Sequence, residues 1–215
     1  MASKCLSSRV LPASLAAMGL VLAGHAQAAT MAPEAFAACV WRTTSDAERD
    51  AMVGVPAQFY AQNTPYDQIA AKYPATSAAI DHCANGAATP VLWKGGYISA
   101  LAMEHASTAA LRVYSDIAPD RLERIWDTVP ADEQICYGVM TAGPIIEADK
   151  TAERDLAPAG GTCPQMKNAF AAFIQTLPAD SRIEATSLVQ AYAFARGGEA
   201  VVMRLMARRA PAGAQ

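Results

Sequence analysis

Apolar residues recur at spacings of three and four along almost the whole chain, and alternating runs of Val, Ile and Thr are absent. Ala, Leu, Glu, Arg and Gln fill most segments, so the pattern predicts helix after helix and an all-α fold. Pro33 suits the first turn of a helix carrying Phe36, Cys39, Val40 and Trp41. Ser45-Asp46-Ala47-Glu48 has the form of a capping box, with Glu48 reaching back, and opens a short helix through Met52 that Gly54 and Pro56 end. Short helices over Tyr66–Tyr73 and Thr76–Ala84 follow, divided by Pro74 and stopped by Asn85-Gly86. The longest apolar helix runs from Tyr97 to Tyr114, after a turn at Lys94-Gly95-Gly96. Further helices are expected over Pro119–Trp126, Pro130–Met140, Pro164–Ile174 and Ala179–Ala195. A short exposed helix is expected over Glu147–Leu156, between a break at Gly143-Pro144 and a loop at Pro158-Ala159-Gly160-Gly161. Gly197-Gly198 reads as an interruption before a last helix with Val201, Val202, Leu205 and Met206. The expectation is a single-domain irregular bundle of about seven to nine helices.

One local pattern occurs three times, at Trp41-Arg42-Thr43-Thr44-Ser45, Trp126-Asp127-Thr128-Val129-Pro130 and Ile174-Gln175-Thr176-Leu177-Pro178. Each copy has a large apolar residue, a polar one, Thr, any residue, then Ser or Pro. An acidic residue follows within the next turns (Glu48, Asp132, Asp180). This reads as a tight helix–helix corner, the large residue packing under the bend. Spacings of 85 and 48 residues exclude a fixed-period solenoid, and independent use of one corner chemistry reads better than a degenerate duplication.

The first thirty residues stand apart. Lys4 and Arg9 precede a mostly apolar run from Leu11 to Ala23, and Ala26-Gln27-Ala28 supplies the small-x-small pattern of a cleavage site. Residues 1–28 are therefore expected to be a cleaved signal peptide, 29–210 the all-α domain and 211–215 a frayed tail. The run is short and broken by Pro12 and Gly19, so no membrane span is expected. The leader holds two of the 17 basic residues and none of the 20 acidic ones, leaving the remainder at a net charge of −5. Such a balance offers no cationic footprint for nucleic acid. The one basic cluster, Arg204, Arg208 and Arg209, suits a helix C-terminus.

Five cysteines divide usefully. Cys5 leaves with the leader, and Gly24-His25-Ala26 stands where a lipoprotein would carry its cysteine. Cys39, Cys83, Cys136 and Cys163 remain, and an exported chain makes two disulfides of them. Of the three possible pairings, chain locality favours Cys39–Cys83 with Cys136–Cys163. Without Cys-x-x-Cys or Cys-x-x-Cys-His, nothing points to a redox pair, a zinc ribbon or c-type haem.

Candidate chemistry is sparse. Glu104 and His105 are the best candidates, because they interrupt a helix that is otherwise apolar nearly all round. A carboxylate beside an imidazole is raw material for acid–base work, although neighbours on a helix point about 100° apart. The plainer reading pairs Glu104 with an arginine such as Arg196 and gives His105 a carbonyl partner. Asp81, His82, Glu104 and His105 are the residues able to supply metal ligands, but no recognised ligand spacing occurs. Met203 and Met206, with Met103 and His105, carry the atoms for copper, but methionines at this spacing read as core filler. Lys94-Gly95-Gly96 ahead of a helix is a weak anion-binding pattern. No nucleophile motif is present, and neither metal nor cofactor is expected.

The expectation is an exported protein, periplasmic or extracellular, that binds an envelope protein or a small ligand without catalysis. The alternative is a small helical hydrolase or lyase using Glu104 as general acid or base.

Overall fold

The computed structural model describes residues 31–54, 64–85, 89–115, 117–140, 142–148, 150–156 and 161–209. The leader and its cleavage site, Pro56, Gly86, Pro158 to Gly160 and the tail from Ala210 lie outside the described residues. Eleven helices, and no strands, are found among the described residues, so the all-α reading holds. They are α1 (Pro33–Thr43), α2 (Asp46–Val53), α3 (Tyr66–Lys72), α4 (Pro74–Cys83), α5 (Val91–Tyr114) and α6 (Pro119–Thr128). The remainder are α7 (Ala131–Val139), α8 (Gly143–Ala148), α9 (Lys150–Leu156), α10 (Pro164–Gln175) and α11 (Arg182–Arg209). No helix among the described residues is long and apolar enough to cross a membrane.

Two long helices form the axis. α5 and α11, of 24 and 28 residues, extend about 36 and 42 Å and make the most extensive contact in the molecule. They run antiparallel: Tyr97 near the start of α5 lies by Glu199, while Thr108 towards its end shares a pocket with Tyr192. Around them α2, α3, α4, α6 and α8 pack on α5, and α1, α7, α9 and α10 pack on α11. The buried set is continuous, from Phe36 and Val40 through Trp93, Ile98 and Leu101 to Val189, Val201 and Leu205.

The glycine pairs are not where the chain stops being helical. α11 runs unbroken through Gly197-Gly198, and α5 begins at Val91, so Gly95-Gly96 lie inside it. Both expectations of a break fail for one physical reason, which is that these glycines admit another backbone. A Cβ on Gly95 would lie 1.8 Å from the carbonyl oxygen of Tyr66 in α3. A Cβ on Gly197 would lie 2.7 Å from the backbone nitrogen of Gly138 in α7. Contact bought at the helix-propensity cost of glycine fixes the register of each long helix against a short one. In residues 143–156, Gly143-Pro144 open α8 rather than break a helix, and the expected exposed helix is two helices that bury Ile145, Ala152 and Leu156.

All three predicted corners join consecutive helices: α1 to α2, α6 to α7, and α10 to α11. Each carries a threonine hydroxyl that donates to a carbonyl in the last turn: Thr44 to Val40, Thr128 to Ile125 and Thr176 to Phe173, at 2.8, 2.7 and 2.6 Å. A second element escaped the sequence reading. Eight residues after the leading Trp or Ile stands a long polar side chain that donates back to the corner's carbonyls. Arg49 donates to Trp41 at 2.9 Å, Gln134 to Trp126 and Val129 at 3.1 and 3.0 Å, and Arg182 to Leu177 and Gln175 at 2.9 and 3.0 Å. Helix C-termini leave carbonyls without intrahelical partners, and these side chains satisfy them.

The first two corners share one more device. Ser45 accepts from the Glu48 amide as expected, but Glu48 does not reach back. Its carboxylate accepts from the amides of Ala75 and Thr76 at 2.9 and 2.8 Å, and from the Thr76 hydroxyl, capping α4. Glu133, at the matching place after Trp126, accepts from the Met166 amide at 3.3 Å in the first turn of α10. Disulfides Cys39–Cys83 and Cys136–Cys163 tie the same capped helices, α4 to α1 and the start of α10 to α7. Loops of 44 and 27 residues stabilise by about 4 kcal/mol each in the chain-entropy model. Asn85 has the left-handed backbone expected of a helix stop (φ 56°).

Gly138→Ala and Gly143→Ala should separate contact from propensity. A Cβ at 138 meets the Gly197 carbonyl oxygen at 1.9 Å, whereas one at 143 meets nothing within 4 Å. Urea unfolding is expected to show Gly138→Ala losing about 2–3 kcal/mol. Gly143→Ala should be neutral or gain up to about 1 kcal/mol. Equal effects would mean the α7–α11 approach is not constrained.

Candidate functional site

Glu104 and His105 sit midway along α5, where α1, α2, α6 and α11 come together. Glu104 does meet Arg196, with Oε1 3.6 Å from a guanidinium nitrogen. That arginine is shared. Its terminal nitrogens lie 3.3 Å from Glu199 of α11 and 3.8 Å from Glu34 of α1, and its guanidinium sits 5.7 Å from the ring centroid of Trp126 in α6. Arg196 and Glu199 are 6% and 3% exposed, so one guanidinium serves three carboxyl groups at the centre of the bundle.

Charge counting decides the protonation. Glu34 is half exposed and screened by solvent, but Glu104 and Glu199 both ionised beside one buried guanidinium would leave an unbalanced negative charge, which a low-dielectric interior opposes. Burial pushes the Glu199 carboxyl well above its ordinary range, and the charge of Glu104 pushes it further, outweighing the pull of Arg196. Written as a carboxylate, Glu199 leaves Oε1 without any donor; protonated, it hydrogen-bonds Glu104. A protonated Glu199 is the form that this geometry favours. Burial pulls the Arg196 guanidinium down, but Glu199 and Glu104 more than offset this and hold it above its ordinary value. Tyr97 and Tyr192 are raised, by burial first, and stay neutral phenols.

His105 takes no carbonyl partner among the described contacts. Its ring stacks on Trp41 of α1, with centroids 3.5 Å apart and planes at 14°. Burial lowers its pKa below the usual imidazole value, although Glu104 opposes this, so it is neutral at pH 7. Thr108 returns its hydroxyl to the carbonyls of Glu104 and His105, at 2.9 and 3.1 Å.

The opening lies on the α2–α5–α6–α11 side. A pocket of about 330 Å³ is lined by Glu104, His105, Thr108, Ala109 and Arg112 of α5, together with Val53, Pro119, Glu123 and Tyr192. A shallower depression of about 530 Å³ adjoins it, sharing Arg112 and Pro119 and adding Ile117, Ala118 and Asp120. Val113 and Tyr114 stand exposed beside Arg112 at the end of α5.

The other candidates do not gather there. Asp81 pairs with Lys94 and accepts from the Thr89 amide, and His82 is exposed on α4. Among the described residues no group of three or more His, Cys, Asp or Glu is placed to hold a metal ion. Met103 is buried, and Met203 and Met206 pack against the core. Lys94-Gly95-Gly96 lies within α5, so it presents no free helix-start amides for an anion. Glu199 and Glu34 were missed. Gly197-Gly198 reads as a break just before Glu199, and only the run of apolar residues after it signals a helix interior. Comparison of the chain with protein-family models, with curated proteins and with solved structures finds no match.

Two substitutions test the cluster. Burial raises the Glu199 carboxyl above its ordinary value of about 4.5 in the folded state, so this group lowers stability as pH rises from there towards its folded pKa. Glu199→Gln is expected to raise Tm by at least about 3 °C at pH 8 and to lose that advantage at pH 5. Arg196→Met strands buried carboxyl groups and should cost about 3–5 kcal/mol at pH 7, and less at pH 4.5 where they protonate. Calorimetric scans across this pH range check both.

Proposed function

We propose that this chain is exported, loses residues 1–28, and acts in the periplasm or outside the cell as a helical domain over 29–210 that binds a ligand or an envelope protein without transforming it. Two disulfides fit an oxidising compartment. One observation carries the binding role: the polar residues that interrupt α5 line a pocket open to solvent, between four helices. Both central groups are also held in place, Glu104 by Arg196 and His105 by Trp41, as a preformed recognition surface requires.

A second reading, acid–base catalysis by Glu104, draws on a protonated Glu199 beside Glu104 and on Glu123 facing the same pocket. An NMR screen of the oxidised mature protein with small amines, carboxylates, sugars and peptides separates the two. Binding is expected to shift the amides of His105 and Thr108, to be abolished by Ala109→Trp, which fills the pocket, and to return the compound unchanged. Shifts mapping to another face, or surviving in Ala109→Trp, would defeat the pocket. Conversion of a compound that stops in Glu104→Gln with Tm unchanged would replace binding by catalysis.

A further inference from the structure

The charge behind the pocket points to its occupant. Glu34 from α1, Glu104 from α5 and Glu199 from α11 face Arg196, with the phenols of Tyr97 and Tyr192 and the neutral His105 beside them. Glu34 is half exposed and screened by solvent, so the buried guanidinium is shared by Glu104 and Glu199. Glu104 is the member that lines the opening, with its side chain 18% exposed. On the rim, Arg112 and Glu123 are exposed and opposite in sign, so they offset each other and are screened by solvent. Glu104, at the floor, therefore sets the sign. Arg196 lies behind it and is shared with Glu199, so it does not serve Glu104 alone.

We propose that the pocket takes an organic cation, an ammonium or guanidinium group seated against Glu104, and that its arrival releases the proton shared by Glu104 and Glu199 to solvent. This rests on the binding role proposed for the pocket. The balance is simple: one positive charge enters, one proton leaves, and no covalent bond to the ligand changes. The pocket volume suits a single alkyl-guanidinium or amine head. The adjoining depression, with Val113 and Tyr114 at its edge, has room for flanking polypeptide when the cation is an arginine or lysine side chain.

The test uses the oxidised mature protein, followed by the amide shifts of His105 and Thr108, with n-butylguanidinium, n-butylammonium, n-butanol and n-butyrate. Both cations are expected to bind and the other two to bind at least tenfold more weakly. Release of one proton makes the n-butylguanidinium affinity rise with pH, by at most tenfold per pH unit. That slope should vanish in Glu199→Gln. Glu123→Gln, on the exposed rim and independent of the buried cluster, should weaken cation binding about threefold. Preferential binding of butyrate or butanol at these amides overturns the cation assignment while leaving the pocket as a binding site, and a pH-independent cation affinity in the unaltered protein overturns the proton release. No shift at these amides with any of the four overturns both. Acetyl-Gly-Arg-Gly-amide then identifies the source: affinity tenfold above n-butylguanidinium means a protein side chain, and equal affinity means a free small molecule.

Discussion

The structure turns on one buried guanidinium. Arg196 lies where α1, α5, α6 and α11 meet, and it is the only cation within ion-pair distance of Glu34, Glu104 and Glu199 among the described residues. An ion in such a place is justified only by its partners, and each partner is held in turn by the need to stay near it. The consequences spread outward. Burial pushes Glu199 well above the ordinary carboxyl range, Tyr97 stays neutral, and Glu104 is the member of the cluster that lines the pocket. A buried cluster and a surface pocket thus share a single side chain.

Placing that cluster correctly is the work of repeated local devices. Twice the chain turns a corner at a tryptophan, clamps the corner's carbonyls with the residue eight places on, and sends the intervening glutamate to cap a distant proline-started helix. Twice a disulfide also ties that distant helix, through Cys83 at its end and through Cys163 at its start, and twice a glycine pair follows in a long helix. The third corner has the clamp, Arg182, but Ser181 stands where the capping glutamate would be. The common plan therefore extends through two halves, each ending in one of the two axial helices. This goes further than reuse of a corner, since the matching glutamates reach elements far away in sequence.

Much of this was legible from residue order. Helix periodicity, the three corners and the local cysteine pairing needed only short-range information, and Glu104 meeting Arg196 followed from the rule that a carboxyl group in an apolar helix must find a cation. What escaped has a common cause. Glycine serves both where a helix ends and where two backbones touch, and only the partner decides; Gly95 and Gly197 have partners far away in sequence. Glu48 read as a local cap because the capping box is defined within one helix, yet its carboxylate serves another. Arg49, Gln134 and Arg182 resembled ordinary surface residues, since nothing in their neighbourhood shows that a helix end lies within reach. Glu199 followed from the same glycine error: once the helix was thought to break at 197–198, no burial was expected after it.

That error also shows how fold and site are joined. The α5–α11 register brings Glu104 to Arg196, and a slip of one helical turn, about 5.4 Å, would part them. Packing of alanines alone along this interface would tolerate such a slip, because small side chains offer similar surfaces at successive turns. Gly197 against Gly138 and Gly95 against Tyr66 fix each long helix against a short one, α11 against α7 and α5 against α3, since each contact exists at one position only. Between the long helices themselves the ion cluster opposes slippage, since moving Arg196 would strand its carboxyl partners. Glu104 consequently faces the pocket from two rigid, mutually locked helices rather than from a loop. A group held this way gains little by moving when a ligand arrives, so the charge on the cluster is what has room to respond.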